Sequence, residues 1–124
     1  MDGSRGKSMK WLPLGPTEFQ VLLALWGGAR YGYAIMKAVE AESGGRIAPE
    51  IGSMYRVLTR LVSQGLVGET AAPRGETAPH PGRERRYYEL TSQGRTVVRA
   101  EAKRLREVLE LAASRAALPG RSAP

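Results

Sequence analysis

Two glycine pairs, Gly27-Gly28 and Gly44-Gly45, and the single Gly65 divide the first half of the chain into three short apolar segments. Glycine is common just past a helix C-terminus, because it takes up left-handed backbone without a steric cost. Placed this way, the glycines confine the segments to short helices and rule out one long amphipathic rod. In the first segment, Pro16 sits where an opening helical turn tolerates proline, with Thr17 as the competing cap. Phe19, Leu22, Leu23 and Trp26 follow at i, i+3, i+4 and i+7, so one helix face carries all four and Trp26 is expected to complete the core side. The second segment predicts a helix from Gly32 to Ser43, with Ile35, Ala38 and Val39 inward. Pro49 marks the approach to a third helix over Glu50–Gln64, whose apolar residues Ile51, Met54, Leu58, Leu61 and Val62 share one side.

Beyond Gly65 the pattern changes. Leu66 and Val67 can open a strand, while Ala71–Glu84 holds Pro73, Pro79, Pro81 and two glycines without an apolar period, which predicts a loop. Arg85-Arg86-Tyr87-Tyr88-Glu89-Leu90 has the aromatic content of a returning strand, and Thr91 is a good N-cap for a last helix reaching about Ala117. The expected fold is mostly α with a small two-stranded β-wing: a winged helix-turn-helix plus a long C-terminal dimerisation helix. The expected divisions are a flexible N-terminal arm over 1–13, a winged DNA-binding domain over 14–91, a dimerisation helix over 92–118 and a tail over 119–124.

Charge points to the partner. The chain has 19 Lys and Arg against 12 Asp and Glu, a formal net charge of +7. A basic balance favours polyanions, nucleic acid first and an anionic membrane surface second, though it also serves plain solubility. Neither a span of about 18 apolar residues nor a secretory leader is legible, so the expected location is the cytoplasm and no membrane partner is expected. There is no cysteine, which excludes disulfides and thiolate metal sites. No Ser/His/Asp constellation and no phosphate-cradling glycine loop stands out, so no enzyme, cofactor or metal site is expected. His80 is the only histidine, and it falls in the proline-rich loop without partner ligands.

On the third helix, Gly52, Ser53, Arg56, Thr59, Arg60 and Ser63 fall opposite the apolar stripe. Small and hydroxyl residues permit close approach to a DNA groove, and arginines pair with phosphate or guanine edges. The competing reading is an ordinary solvated helix face.

At this point the chain resembles the PadR-type transcriptional regulators. The resemblance runs from Leu14 to Leu118. It is carried by Leu14-Gly15-Pro16-Thr17-Glu18, Tyr31-Gly32-Tyr33-Ala34-Ile35, Gly52-Ser53-Met54-Tyr55-Arg56-Val57-Leu58, Arg60-Leu61, Gly65-Leu66-Val67, Arg86-Tyr87-Tyr88-Glu89-Leu90-Thr91 and Gly94-Arg95. It implies a sequence-specific regulator of double-stranded DNA, a homodimeric repressor whose affinity a small effector lowers. It also gives Tyr55 a DNA-backbone contact, and Tyr33 at the start of the second helix is placed for a similar one. For both tyrosines the alternative is aromatic packing. This chain departs from the family in carrying Glu50 where a serine is frequent. That carboxylate either caps the helix or selects a base donor such as cytosine N4.

The wing adds Arg83, Arg85 and Arg86 as expected DNA contacts, although Leu66–Leu90 holds four arginines and four glutamates and so carries no net charge. In the last helix, Val98, Ala102, Leu105, Leu109, Ala112 and Ala116 recur at spacings of 4, 3, 4, 3 and 4, with Val108 broadening the seam and Glu101 among the charged residues expected to coat it. A helix of roughly 26 residues spans about 39 Å, more than one small domain covers, so the seam is expected to form a dimer interface. The rival function from another class is a winged-helix protein-interaction module without DNA binding; it would be favoured if the third-helix face were covered.

Overall fold

A computed structural model describes residues 10–75 and 86–115 of the 124. The elements in chain order are α1 (Pro16–Ala24), β1 (Arg30–Tyr31), α2 (Gly32–Glu42), α3 (Ile51–Ser63), β2 (Val67–Thr70), β3 (Tyr87–Leu90) and α4 (Ser92–Ser114). Three helices, a two-stranded wing and a long closing helix reproduce the expected order. Glycines at positive φ follow α2 and α3, at Gly44 (65°), Gly45 (79°) and Gly65 (78°), where each chain reversal needs left-handed backbone.

One strand was not expected. β2 and β3 pair antiparallel with Val67 opposite Leu90, and the two-residue β1 adds to the other side of β3, giving the order β1-β3-β2. Two residues are too few to show a period of two. β1 exists because β3 offers it a free edge, and the Tyr31 and Tyr87 rings pack edge-on at 5.7 Å beside the pairing.

The core gathers Val21 and Leu22 from α1 and Leu25 at its C-cap, Ile35 and Val39 from α2, Met54, Leu58 and Leu61 from α3, Leu66 and Val67 at the wing base, Tyr88 and Leu90 from β3, and Val97 and Val98 from α4. Three apolar residues expected inside lie out: Leu23 of α1, 37% exposed, Trp26 and Ile51. Trp26 falls beyond the end of α1 and is 37% exposed, its ring instead lying under the guanidinium groups of Arg95 and Arg99, 4.9 and 5.3 Å from the ring centre. Ile51 is the first residue of α3, ahead of the turns that reach the core, and is also exposed.

The largest correction concerns α4. Its buried residues, Gly94, Val97, Val98 and Glu101, all lie in its first half, which packs on α1 and β3. Val98, expected in the dimer seam, therefore closes its own domain's core. Glu101, expected in the solvated coat, is 1% exposed. Its carboxylate accepts hydrogen bonds from Arg104 (2.5 and 3.0 Å) and from the Leu14 backbone N–H (2.9 Å), tying the lead-in to α1 onto α4.

The Arg104 hydrogen bond and that of Leu14 outweigh burial and hold the Glu101 carboxyl below its ordinary value of 4.5. A proton thus binds the folded state more weakly than the unfolded one. The resulting stability is fully present above the ordinary value and is lost as pH falls through the lowered one. Glu101→Gln should lower stability at neutral pH by about 1.5–3 kcal/mol, the range for hydrogen bonds to a charged group. Thermal melts in acid should show the gap between the two proteins narrowing, and a gap constant with pH would count against the ionised network.

Candidate nucleic-acid interface

The outer face of α3 is uncovered. Gly52, Tyr55, Arg56, Thr59, Arg60 and Ser63 line an open groove of about 480 Å³ along it, while Met54, Leu58 and Leu61 on the opposite side are fully buried. The helix is thus clamped by one side and free on the other. Ser53 lies at the groove's edge, where its hydroxyl accepts a hydrogen bond from Arg56 Nη2 at 3.0 Å, holding that guanidinium along the helix.

Tyr55 is 42% exposed, and its ring sits on the start of α2. A Cβ on Gly32 would come within 2.7 Å of the ring's ζ carbon and hydroxyl. The Tyr31-Gly32-Tyr33 run therefore needs a glycine in the middle to let the α3 tyrosine settle. The next residue, Tyr33, is 50% exposed with Lys37 Nζ 5.8 Å from its ring centre. Both tyrosines are partly packed and partly open, and the Tyr55 hydroxyl lies against Gly32 at the start of α2. On the buried side, burial and the neighbouring Glu69 push the Tyr88 phenol above its usual value, so it stays neutral at physiological pH.

Arg60 behaves differently from Arg56. Its guanidinium forms an ion pair with Glu18, on the first turn of α1. Reading the sequence missed Glu18, because an acidic residue in a first helical turn is already accounted for by the helix dipole. The only available signal was its place in the Leu14–Glu18 run. Glu50 is the N-cap residue of α3, yet its side chain makes no capping hydrogen bond. Of the two readings open for this carboxylate, the structure does not show the cap.

In the wing, Arg86 is exposed and lies 3.7 Å from Glu69 across the strands. Arg83 and Arg85 lie outside the described residues, as do His80 and Ala116. Among the described residues no group of three or more His, Cys, Asp or Glu is placed to hold a metal, and no helix is long and apolar enough to cross a membrane. Beyond Glu101, α4 leaves Val108 (47%), Leu109 (57%) and Leu111 (53%) exposed, with Leu105 and Ala112 partly covered and Ala102 exposed. Leu111 adds an apolar residue beside the expected seam.

Three helices, a wing and an uncovered third helix bearing arginine and hydroxyl groups define a winged helix-turn-helix protein. Residues 21–100 match the transcriptional regulator PadR-like family, and the chain belongs to that family. It is 39% identical over 86 residues to a 37.1 kDa protein of a Streptomyces fradiae transposon, spanning only 22% of that protein's length. Among solved structures, it is similar to a PadR family transcription regulator from Clostridium difficile, with a TM-score of 0.65 at 22% identity over 81% of this chain and 97% of that one. It is also similar to Bacillus subtilis PadR, solved in complex with operator DNA, with a TM-score of 0.54 at 22% identity over 67% of this chain and 45% of that one.

Proposed function

We propose that this regulator binds double-stranded DNA as a homodimer, with α3 in the major groove and the wing on the adjacent backbone. The observation that carries this reading is the uncovered α3 face, where Gly52 leaves room for close approach and Tyr55, Arg56 and Thr59 supply donors. The operator complex of Bacillus subtilis PadR supports the same use of the fold. Arg83, Arg85 and Arg86 join as wing contacts, and Tyr33 as a backbone contact beside Tyr55. The interaction-module alternative would be favoured by a covered α3 face, and among the described residues nothing covers it.

The second copy attaches through the far half of α4, from Ala102 through Leu105, Leu109 and Ala112 to Ala116. The working divisions are the winged domain over 14–91 and the dimerisation helix over 92–118, with the first turns of that helix serving both. Repression and control by a small effector rest on the family resemblance alone. A regulator of this kind acts where the chromosome is, in the cytoplasm.

Two measurements test the reading. Log affinity for duplex DNA should fall linearly with log salt, by about 0.9 for each phosphate contact. Arg56→Ala removes a side chain on the uncovered face and should leave thermal stability within about 0.5 kcal/mol. It should nevertheless cost roughly 1–3 kcal/mol of binding at the preferred base and relax preference there. Affinity that ignores salt, or an unchanged operator footprint in the Arg56 variant, would sink the proposal.

A further inference from the structure

We infer that Glu18 acts as an intramolecular stand-in for a DNA phosphate, holding Arg60 out of contact with arbitrary sequence and so setting how well this protein tells its operator from other DNA. The inference rests on the DNA-binding reading above and adds a residue from outside the recognition helix to it.

Glu18 Oε2 and Arg60 Nη2 are joined across two elements 42 positions apart in sequence. Arg60 lines the same open groove as Arg56 and Thr59, so the ion pair stands on the face offered to DNA. The carboxylate is seated rather than loose. It folds back over Gly15, the N-cap of α1, into space that any Cβ on that residue would occupy. The Glu18 side chain is 23% exposed against 51% for Arg60. The N-terminal end of α1 adds a favourable field for the negative charge.

Two consequences follow from charge. First, a paired guanidinium carries little net charge outward, so it displaces few counterions when the face approaches a duplex. Second, transferring Arg60 to a phosphate leaves Glu18 mostly buried, without its cation and beside another anion. A loose complex on arbitrary DNA offers nothing to offset that change. Close docking at an operator, where the rest of the face is engaged, can. The two arginines of α3 therefore differ in kind: Arg56 is tethered only to a neutral serine hydroxyl, whereas Arg60 is tethered to a competing anion.

The test needs no knowledge of the operator, since it uses a short duplex of random sequence. Salt dependence of binding would be measured for the full-length wild type, Arg60→Gln, Glu18→Gln and the double variant, with thermal melts confirming the fold of each. Arg60→Gln bares the Glu18 carboxylate on this face and should not steepen the slope of log affinity against log salt. Glu18→Gln keeps an acceptor but removes the charge, and should steepen the slope by about 0.9 per protomer. Adding Arg60→Gln to Glu18→Gln should return it to the wild-type value. If the double variant, in which both charges are gone, has a flatter slope than wild type, Arg60 already contacts phosphate and the inference fails; that arm decides the matter even if Glu18→Gln alone does not fold. A Glu18→Gln slope equal to wild type would also overturn it. Wild-type protein that shows no salt-dependent binding to any duplex would instead overturn the DNA-binding reading itself.

Discussion

Replacing Leu105 and Leu109 together with glutamate is expected to turn a dimer into a folded monomer and to reduce binding at a two-fold-symmetric operator to half-site strength. Leu109 is 57% exposed and Leu105 only partly covered in the single chain, so the core retains its packing. At a helix–helix seam, however, four carboxylates from two subunits would be buried without partners, at a cost of several kcal/mol. Two winged domains profit from one another only when α4 holds their recognition helices about 34 Å apart, one turn of the duplex. Losing the link forfeits the gain from simultaneous engagement, on the order of 100-fold to 10,000-fold in affinity. Sedimentation should report the monomer and titration the weakened binding. A double variant that stays dimeric and binds normally would show that the second copy attaches elsewhere. Removing the helix after Leu90 is not an equivalent experiment, because Val97, Val98 and Glu101 would leave the core with it.

Gly94→Ala is expected to destabilise the fold, although Gly-to-Ala changes inside helices ordinarily stabilise by about 1 kcal/mol. Here α4 makes its closest approach to the base of the wing. An added Cβ would collide with the Leu66 carbonyl oxygen, a backbone atom that cannot rotate aside, and would press on Leu90 Cδ2 at 3.2 Å. The junction is fixed from both sides. Thr91 Oγ1 accepts from the Gly94 N–H at 2.9 Å and donates to the Gly65 carbonyl at 2.6 Å, while the Thr91 N–H donates to the Leu66 carbonyl at 3.1 Å. Overpacking of this kind costs about 1–3 kcal/mol or more, enough to outweigh the helix preference. Gly94→Val should approach complete unfolding in a chain whose total stability is about 5–15 kcal/mol. The sign of the alanine effect in chemical denaturation decides the matter: a stabilised Gly94→Ala protein would mean the approach is looser than described.

Sequence alone determined what local rules govern. The glycine stops, the apolar period of each helix and the Thr91 cap fixed four helices and two wing strands in order. The apolar stripe of α3 fixed its opposite face as the open one, so Arg56, Thr59 and Ser63 could be named in advance, while Tyr55 came from the family resemblance. Tertiary structure decided whatever depends on which surfaces meet. β1 needed the edge of β3 before two residues could count as a strand. Trp26 and Ile51 carry the right chemistry for the core but sit at helix ends, beyond where the neighbouring elements close, and Leu23 lies within α1 yet stays exposed beside the buried Leu22. Val98 and Leu109 look alike on a helical wheel, yet only the first half of α4 has a domain beneath it. Glu101 reads as surface until Leu14 and Arg104 arrive to share its charge, and Glu18 reads as a helix-end carboxylate until α3 brings Arg60 to it. Periodicity records which side of a helix is apolar; it carries no information on which neighbour, at what distance, will cover it.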